Sequence, residues 1–356
     1  MSEQLDPSIT RKYTIISKLG KGQYGIVWKA IENKSQETVA IKKVLDAFQN
    51  STYAQSMFRE IMFLQELSHE NIIRLLNVIR AENDKDIYLV VEFMDTDLHT
   101  AVRGNILEPI HKKYIIYQVF RALKYMHSGL VIHRDLKPAN VLLNSECLIK
   151  VTDFGMARSI SAQREGLNPL LTDYIASRWY RAPEVLLGAS NYSKAIDMWS
   201  VGCILAEIIS GKVLFPGTST LNQLDRIMEV TGRPTNEDLT DIPPSMISML
   251  ENLNANKNRD LSILLGTTDT DALDLVSKLL QFNPRKRLTA EEALEHPYVS
   301  DFHDPDEELC CPYTIRISLD DNVKLSIKEY RDRIYQDIYR RKKEIRRRQF
   351  LNRGYS

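Results

Sequence analysis

The polar residues with the clearest chemical potential lie between residues 131 and 143, in the run VIHRDLKPANVLL. Five polar side chains fall close together there: His133, Arg134, Asp135, Lys137 and Asn140. Apolar residues on both sides indicate that the run is anchored in a core, and Pro138 restricts its backbone. A carboxylate, an ammonium group and an amide on one loop can accept a hydroxyl proton, hold a phosphate and supply an oxygen ligand to Mg²⁺.

A further carboxylate follows thirteen residues after Asn140. Asp153 opens the tripeptide DFG, directly after the strand-like run LIKVT. Its position at the end of a strand makes it a second candidate oxygen ligand beside Asn140. The two segments together predict a site for a phosphate group and a divalent cation.

A lysine lies within an apolar run nearer the start of the chain. Lys42 ends the sequence VAIK, and an ammonium group among buried apolar neighbours needs an anionic partner. Two partners fit: a nucleotide phosphate, or Glu60 on the helix that follows, on the side facing the sheet. An exposed lysine with no special partner is the alternative.

Three glycines precede this lysine between two predicted strands. Gly20, Gly22 and Gly25 lie in LGKGQYGIV, where backbone N–H groups could approach a phosphate chain closely. A dinucleotide-binding glycine motif opens a helix, whereas the next segment here is a strand, which argues against that fold. A tight hairpin without a ligand is the alternative.

Hydrophobic periodicity predicts the elements that carry these groups. Alternation in YTIISKL, IVWKA and TVAIKKV predicts three antiparallel strands between residues 13 and 44, and IYLVVEF at 87–93 predicts a buried strand. Helical spacing predicts helices over 56–67 and 114–127, and AIDMWSVGCILAEII at 195–209 reads as a helix buried on all sides. The sequence therefore predicts an α+β protein, with a small sheet-rich unit before a larger helical one.

Composition restricts the class of protein. The 356 residues are 43% hydrophobic and 26% charged, as in an ordinary soluble globular protein, which excludes collagen-like and mostly disordered chains. Four cysteines without a CxxC pair argue against a disulfide framework and for a reducing compartment. No apolar run is long enough to span a bilayer. We therefore expect a protein of the cytosol or the nucleus.

Five motifs in order and register make the chain similar to a known family. The set GxGxYGxV, VAIK, HRDLKPAN, DFG and APE (residues 182–184) resembles the eukaryotic protein kinases over roughly residues 13–300. The resemblance implies a bilobal fold, with a small antiparallel-sheet N-lobe containing one main helix and a larger, mostly helical C-lobe. It also implies ATP and Mg²⁺ as cofactors and, from the HRDLKPAN loop, Ser/Thr specificity.

The resemblance assigns roles to the residues above. Lys42 would hold the α- and β-phosphates and pair with Glu60, Asp135 would accept the substrate hydroxyl proton, and Lys137 would contact the γ-phosphate. Asn140 and Asp153 would hold Mg²⁺. The residues expected to surround ATP are Leu19, Gly20, Gly22, Gly25, Val27, Ala40, Lys42, Val91, Glu92, Met94 and Leu142.

The segment between DFG and APE narrows the resemblance. Thr172-Asp173-Tyr174 is similar to the TxY dual-phosphorylation motif of the mitogen-activated protein kinases, and the segment is most similar to the atypical extracellular-signal-regulated kinases. By the family pattern such an enzyme phosphorylates Ser or Thr before Pro, after phosphorylation of Thr172 and Tyr174 by an upstream kinase or by itself. The arginines expected to receive the two phosphates are Arg59, Arg134 and Arg158 for Thr172, and Arg178 and Arg181 for Tyr174.

The C-terminal part carries two segments of opposite charge. By resemblance, the acidic stretch 301–308 is a docking site for basic peptides of activators, substrates and phosphatases, with Asp304, Asp306 and Glu307 as contacts. A solvated acidic loop is the alternative. The run 340–353 carries eight Lys or Arg and one Glu. It reads as a nuclear localisation signal, a segment that binds nucleic acid or an acidic membrane surface, a segment that folds back onto the acidic stretch, or a solvated tail. Ile327, Tyr330, Ile334 and Ile338 form a helical stripe before it.

The expected organisation follows the family pattern. We expect an N-terminal extension at 1–12, an N-lobe at 13–92, a hinge at 93–97, a C-lobe at 98–300 and a C-terminal extension at 301–356. The C-lobe would include an activation loop at 153–184 and an insert at about 221–265. Asp197 is expected to bond the backbone of the HRD loop or to serve as a plain N-cap, and Glu184 to pair with Arg287.

The expected partners are protein substrates with Ser/Thr-Pro sites, and the chain is expected to be a monomer. Three other readings compete with this one: a silent kinase-like docking scaffold, a kinase of the cyclin-dependent type and a nucleic-acid-binding module. The intact catalytic set argues against the scaffold, and the TxY motif argues against the cyclin-dependent type. A nucleic-acid-binding module would explain only the basic tail.

Overall fold

The protein is described here by a computed structural model covering residues 3–22, 25–160, 176–189, 193–240, 242–251, 253, 259–318 and 323–353. The chain divides into two compact units. The smaller unit comprises Met1–Ser68, Ile73–Met94 and Val323–Ser356, and the larger one His69–Ile72 and Asp95–Asn322. Among the described residues, none of the helices is both long and apolar enough to cross a bilayer.

The strands of the described chain follow one another in the order β1 (Tyr13–Gly22), β2 (Gly25–Glu32), β3 (Thr38–Val44), β4 (Leu75–Arg80), β5 (Ile87–Glu92), β6 (Thr96–Asp97), β7 (Val131–Ile132), β8 (Val141–Leu143), β9 (Ile149–Val151) and β10 (Arg158–Ser159). The first five form one antiparallel sheet with the order β1-β2-β3-β5-β4. The short strands of the larger unit pair as β6-β8-β9 and as β10-β7.

The α-helices of the described chain are α1 (Pro7–Thr10), α2 (Ser51–Glu66), α3 (Leu98–Arg103), α4 (Pro109–Ser128), α5 (Pro183–Leu186), α6 (Ala195–Ser210), α7 (Thr220–Thr231), α8 (Pro244–Glu251), α9 (Leu261–Leu265), α10 (Thr270–Leu279), α11 (Ala290–Leu294) and α12 (Ile327–Arg353). The short 3₁₀ segments Pro138–Asn140, Phe154–Met156 and Ala176–Tyr180 lie among the predicted functional motifs.

Helix α2 of the smaller unit begins earlier than the sequence pattern suggests. The apolar stripe predicts a start at Ser56, whereas the helix begins at Ser51. The reason is local, because the Asn50 side chain caps the helix by accepting a hydrogen bond from the Tyr53 backbone N–H at 2.8 Å. The first turn is mostly polar, so hydrophobic periodicity does not detect it.

The C-terminal helix α12 packs within the smaller unit. Tyr330, Ile334 and Ile338 are buried, and the Tyr330 ring lies 6.0 Å from the Phe58 ring of α2. Ile327 was expected in the same stripe, but it lies at the first residue of the helix and is 36% exposed. The stripe therefore has three members rather than four.

Helix α6 forms the centre of the larger unit. Each residue from Ile196 to Ile208 is buried, as the apolar run predicts. Two of these residues, Asp197 and Glu207, are acidic, so each needs a hydrogen-bonding partner inside the core. Those partners belong to segments that carry predicted functional residues.

Candidate active site

The loop after β7 gathers three of the predicted catalytic groups. The Lys137 Nζ lies 2.6 Å from the Asp135 Oδ2, and the Asn140 Nδ2 donates to the Asp135 backbone oxygen at 2.9 Å. Pro138 begins the 3₁₀ turn that returns Asn140 toward Asp135. The Asp135 carboxylate is thus held in place beside a cation, as a proton acceptor for a hydroxyl group requires.

A buried carboxylate from α6 holds the backbone of this loop. Asp197 accepts hydrogen bonds from the backbone N–H groups of His133 and Arg134, each at 2.8 Å. Arg134 adopts a left-handed backbone conformation with φ 71°, and these two bonds stabilise it. The N-cap of α6 is Lys194, so the alternative role of Asp197 as a plain N-cap is wrong.

A histidine from α4 completes this support. The His127 Nε2 lies 3.0 Å from the Asp197 Oδ2, and both side chains are almost fully buried. Burial alone would raise the pKa of Asp197, but the hydrogen bond from His127 and nearby positive charge hold it below its usual value. The carboxylate therefore stays ionised and continues to accept both loop N–H groups.

The predicted metal ligands lie at the same end of the β8–β9 pair. The Thr152 backbone N–H donates to the Asn140 backbone oxygen at 3.0 Å, and Asp153 follows immediately. The neighbouring Phe154 is fully buried, with its ring 5.0 Å from the His133 imidazole. Packing thereby fixes the residues on both sides of Asp153, whose own φ is 67°.

The donor set fits Mg²⁺ better than a transition metal. The amide nitrogen of Asn140 is committed to Asp135, so its oxygen is the atom left to contact a cation. An amide oxygen and a carboxylate are the hard ligands that Mg²⁺ prefers. Within the described ranges no three His, Cys, Asp or Glu side chains form a metal cluster, so phosphate oxygens would have to complete the coordination.

In the smaller unit, Lys42 has the carboxylate partner that the sequence suggests. Its Nζ lies 2.8 Å from the Glu60 Oε1, with Lys42 on β3 and Glu60 on α2. The Glu60 side chain is 8% exposed, whereas that of Lys42 is 27% exposed. The ammonium group is thus fixed by one carboxylate and still accessible to a second anion.

The glycine-rich hairpin joins β1 to β2 and contains glycines of two kinds. A Cβ atom at Gly25 would lie 1.9 Å from the Lys43 backbone oxygen, so close strand packing requires glycine there. Gly20 and Gly22 have no neighbouring atom within 4 Å of the same position, which leaves their backbone open to a ligand. Gly22 and Gly25 are directly opposite in the strand register.

The remaining positions predicted to surround ATP are divided between the units. In the sheet, Ala40 of β3 pairs with Val91 of β5, and Val27 of β2 pairs with Lys42. Leu19 of β1 is 46% exposed, and the Glu92 carboxylate accepts from the Arg74 backbone N–H at 2.7 Å. Met94 ends the segment Ile73–Met94 of the smaller unit, and Leu142 lies in β8 of the larger one.

The arginines predicted to receive phosphates belong to several elements. Arg59 is buried on α2 of the smaller unit. In the larger unit, Arg158 of β10 pairs with Ile132 of β7. Arg134 follows Ile132 by two residues. Arg178 is only 7% exposed in the segment Ala176–Tyr180, and Arg181 follows that segment. Thr172 and Tyr174 lie outside the described residues.

The acidic stretch near the end of the larger unit is both exposed and anchored. Asp304, Asp306 and Glu307 are exposed, as docking contacts would need to be. The next residue, Glu308, is buried and binds the Lys124 Nζ at 3.3 Å and the His303 Nδ1 at 2.7 Å. Phe302 of the same stretch lines a hollow of about 250 Å³ together with Ile110, His111, Tyr114, Ser145, Glu146 and Cys147.

Two buried polar pairs support the segment around residues 176–184. Glu184 and Arg287 form a bidentate pair with distances of 2.7 and 2.6 Å, which is the predicted structural pair. The Tyr180 hydroxyl donates to the Glu207 Oε2 at 2.6 Å, a contact that sequence reasoning missed. Burial raises the pKa of Glu207, although this hydrogen bond opposes the shift. The detectable signal was an acidic residue inside an otherwise apolar helix.

The chain is similar to known proteins over nearly its full length. Residues 13–299 match the family model described as a protein kinase domain. The chain is 59% identical to "Extracellular signal-regulated kinase 2" of Dictyostelium discoideum, covering 98% of this chain and 95% of that protein. It is 55% identical to "Mitogen-activated protein kinase 15" of Xenopus laevis over 97% of this chain and 60% of that protein. It is 49% identical to the protein of the same name from Caenorhabditis elegans, over 98% and 75% respectively.

Proposed function

Because the chain belongs to the mitogen-activated protein kinases, a branch of the Ser/Thr protein kinases that acts in signalling, we propose that it is proline-directed and activated by phosphorylation of Thr172 and Tyr174. The observation that carries this proposal is the complete catalytic set. Lys137 and Asn140 each donate a hydrogen bond to Asp135 in the larger unit, and Lys42 is paired with Glu60 in the smaller one. A silent scaffold would not need these contacts.

The proposed chemistry is transfer of the ATP γ-phosphate to a substrate hydroxyl group. Asp135 accepts the hydroxyl proton, Lys137 neutralises charge on the transferred group, and Lys42 holds the α- and β-phosphates. Mg²⁺ bound by Asn140 and Asp153 would neutralise phosphate charge. The protein contributes mainly positioning and electrostatic stabilisation, because this transition state requires little covalent assistance.

The proposed switch relies on charge. Each phosphate adds nearly two negative charges and three acceptor oxygens, which arginine side chains bind well. Arg134 lies two residues after β7, Arg158 begins the strand β10 that pairs with β7, and Arg178 is buried in the segment Ala176–Tyr180. Phosphorylation of Thr172 and Tyr174 would bring anions to these cations.

Docking of protein partners is a separate part of the proposal. Exposed carboxylates at Asp304, Asp306 and Glu307 follow Phe302, whose side chain lines the hollow with Ile110 and Tyr114. A peptide that combines basic and apolar residues matches both features. Activators, substrates and phosphatases with such peptides are the proposed partners, and the cytoplasm and nucleus are the proposed location.

The test is phosphosite mapping by mass spectrometry after incubation of the bacterially expressed chain with Mg-ATP. We expect phosphate on Thr172 and Tyr174 of the wild type and none on the matched Asp135→Asn and Lys42→Arg variants. If the wild type stays unmodified, the chain is next phosphorylated by an upstream activating kinase. No gain in activity toward a Thr-Pro peptide after full modification of both sites would contradict the proposal.

A further inference from the structure

The segment Ala176–Tyr180 is held from two sides within the larger unit. On one side is α6, where the Ser200 hydroxyl donates to the Tyr180 backbone oxygen at 2.8 Å. On the other side is the backbone of Gly217 and Thr218. The Trp179 Nε1 donates to the Gly217 oxygen at 3.0 Å, and the Arg178 Nη1 donates to the Thr218 oxygen at 3.4 Å. The positions of Arg178 and Trp179 therefore depend on the position of that backbone.

A buried amide on α7 fixes that backbone. Gln223 is fully buried, and its Oε1 accepts from the Gly217 backbone N–H at 3.1 Å. Its Nε2 lies 3.5 Å from the Trp179 backbone oxygen. A buried amide with a backbone group at each end cannot turn without leaving polar atoms unpaired. Gln223 thus connects the backbone at Gly217 with the backbone at Trp179.

The close approach at Gly217 is independent evidence for the same contact. A Cβ atom at Gly217 would lie 2.3 Å from the Gln223 Oε1 and 2.7 Å from the Gln223 Cα. Real Cβ atoms do not approach so closely, so only glycine fits against this glutamine. Gly217 and Gln223 form a matched pair in which each restricts the other.

Arg178 is the functional side chain that this arrangement positions. Its side chain is buried, with 7% of its surface exposed, and its Nε has no hydrogen-bond partner within the described part of the chain. A buried, incompletely satisfied guanidinium group is suited to bind an anion. The proposed phosphate on Tyr174 would supply that anion four positions earlier in the sequence.

We propose that Gln223 is a positioning residue that holds Arg178 in place for phosphorylated Tyr174. Through Gly217 and Thr218 it sets the direction of the guanidinium group before any phosphate arrives. Phosphorylation of Tyr174 then acts on a prepared receptor. This inference rests on the proposed function, because it requires that phosphorylation of Tyr174 activates the enzyme.

The test compares two phosphorylation states of each variant: phosphate on Thr172 alone, obtained with a tyrosine phosphatase, and phosphate on both sites. The measured quantity is the gain in kcat/KM for a Thr-Pro peptide on adding the tyrosine phosphate. We expect Gln223→Met to lower this gain at least fivefold relative to wild type. The control is Gln281→Met, because the Gln281 side-chain amide donates to the Ser277 backbone oxygen of its own helical region, and the gain of this variant should stay within twofold of wild type.

A second variant keeps the inference testable if Gln223→Met does not fold. Trp179→Phe keeps a ring but removes the bond to the Gly217 oxygen, so we expect a smaller loss of the same gain. An unchanged gain in Gln223→Met, or an equal loss of activity in both phosphorylation states, would overturn the inference. A wild type that shows no gain would instead contradict the proposed function, so the two failures are distinguishable.

Discussion

At the scale of single residues, the site depends on buried polar groups held in one protonation state. Asp197 stays ionised because His127 donates to it, and in that state it accepts two N–H groups of the catalytic loop. His69, in the segment His69–Ile72 of the larger unit, is instead held in its neutral form. Burial, helped by nearby Arg121 and Lys150, lowers the pKa of His69 to about 4.

The shifted pKa of His69 predicts a pH dependence of stability. Above pH 6.5 the imidazole is neutral in both states and contributes nothing. Between about pH 6.5 and 4 the unfolded chain binds a proton that the folded chain does not, so the free energy of unfolding falls with falling pH. From pH 7 to 4.5 this residue should account for about 2–3 kcal/mol of the loss.

The measurement is urea denaturation of wild type, His69→Gln and His99→Gln at pH 7 and at pH 4.5. We expect His69→Gln to lose about 2–3 kcal/mol less stability than wild type across this range. His99, which is partly exposed, is the control for the replacement of a histidine as such. Identical slopes in all three proteins would show that His69 takes up its proton in the folded state.

At the scale of elements, helix α12 stabilises the sheet-rich unit through one face. Tyr330 is 1% exposed against Phe58 of α2, whereas Tyr339 of the same helix is 73% exposed. The Tyr335 hydroxyl contacts the Asp84 backbone oxygen at 3.5 Å, and the Tyr335 ring packs beside Phe48. The helix therefore adds packing to α2, which carries Glu60.

Replacing these two tyrosines by alanine should have very different effects. Tyr330→Ala opens a cavity beside Phe58 and should lower stability by about 3–5 kcal/mol. Tyr339→Ala removes an exposed ring and should change stability by less than about 0.5 kcal/mol. Hydrogen exchange of the α2 amides measures the effect locally. Equal protection in both variants would mean that α12 does not stabilise α2.

Elements with strong periodicity could be predicted from sequence, and elements defined by distant contacts could not. Strands β1, β2, β3 and β5 and helices α4 and α6 occur where the apolar pattern predicts them, although α4 begins at Pro109 rather than at Tyr114. Strand β4 was missed because Asn77 interrupts its apolar run, at a point where the strand register also shifts. The partner of α12 was not predictable because it is α2, far earlier in the chain.

In the candidate active site, too, residues grouped in one short run could be predicted from the sequence, whereas contacts between distant segments could not. The polar groups of residues 133–140 are informative because their chemistry is concentrated in one short run, and the structure joins Asp135, Lys137 and Asn140 directly. The contact of Asp197 with this loop was expected only from the family resemblance, and the bond from His127 of α4 to Asp197 was missed because no local pattern joins two separate helices. Gln223 was missed for the same reason, since a glutamine in an amphipathic helix looks like surface.

At the scale of the whole molecule, the predicted α+β organisation and membership in the protein kinase family are confirmed. The small unit consists of a five-stranded antiparallel sheet with helix α2 and the C-terminal helix, and the larger unit is mostly helical. Each unit carries part of the predicted machinery: Lys42 and Glu60 in one, and the Asp135 loop and Asp153 in the other. Kinase activity should therefore require both units. Replacing Lys42 in one unit, or Asp135 in the other, should abolish phosphate transfer.

The most direct test of the central claim is the rate of phosphate transfer to two peptides that differ only in the residue after the acceptor threonine, Pro or Ala. The enzyme is the chain phosphorylated on Thr172 and Tyr174, beside Asp135→Asn treated identically. We predict at least tenfold higher kcat/KM for the Pro peptide, and a loss of about 10²–10⁴-fold in Asp135→Asn. Equal use of both peptides, or an undiminished rate in Asp135→Asn, would contradict the account.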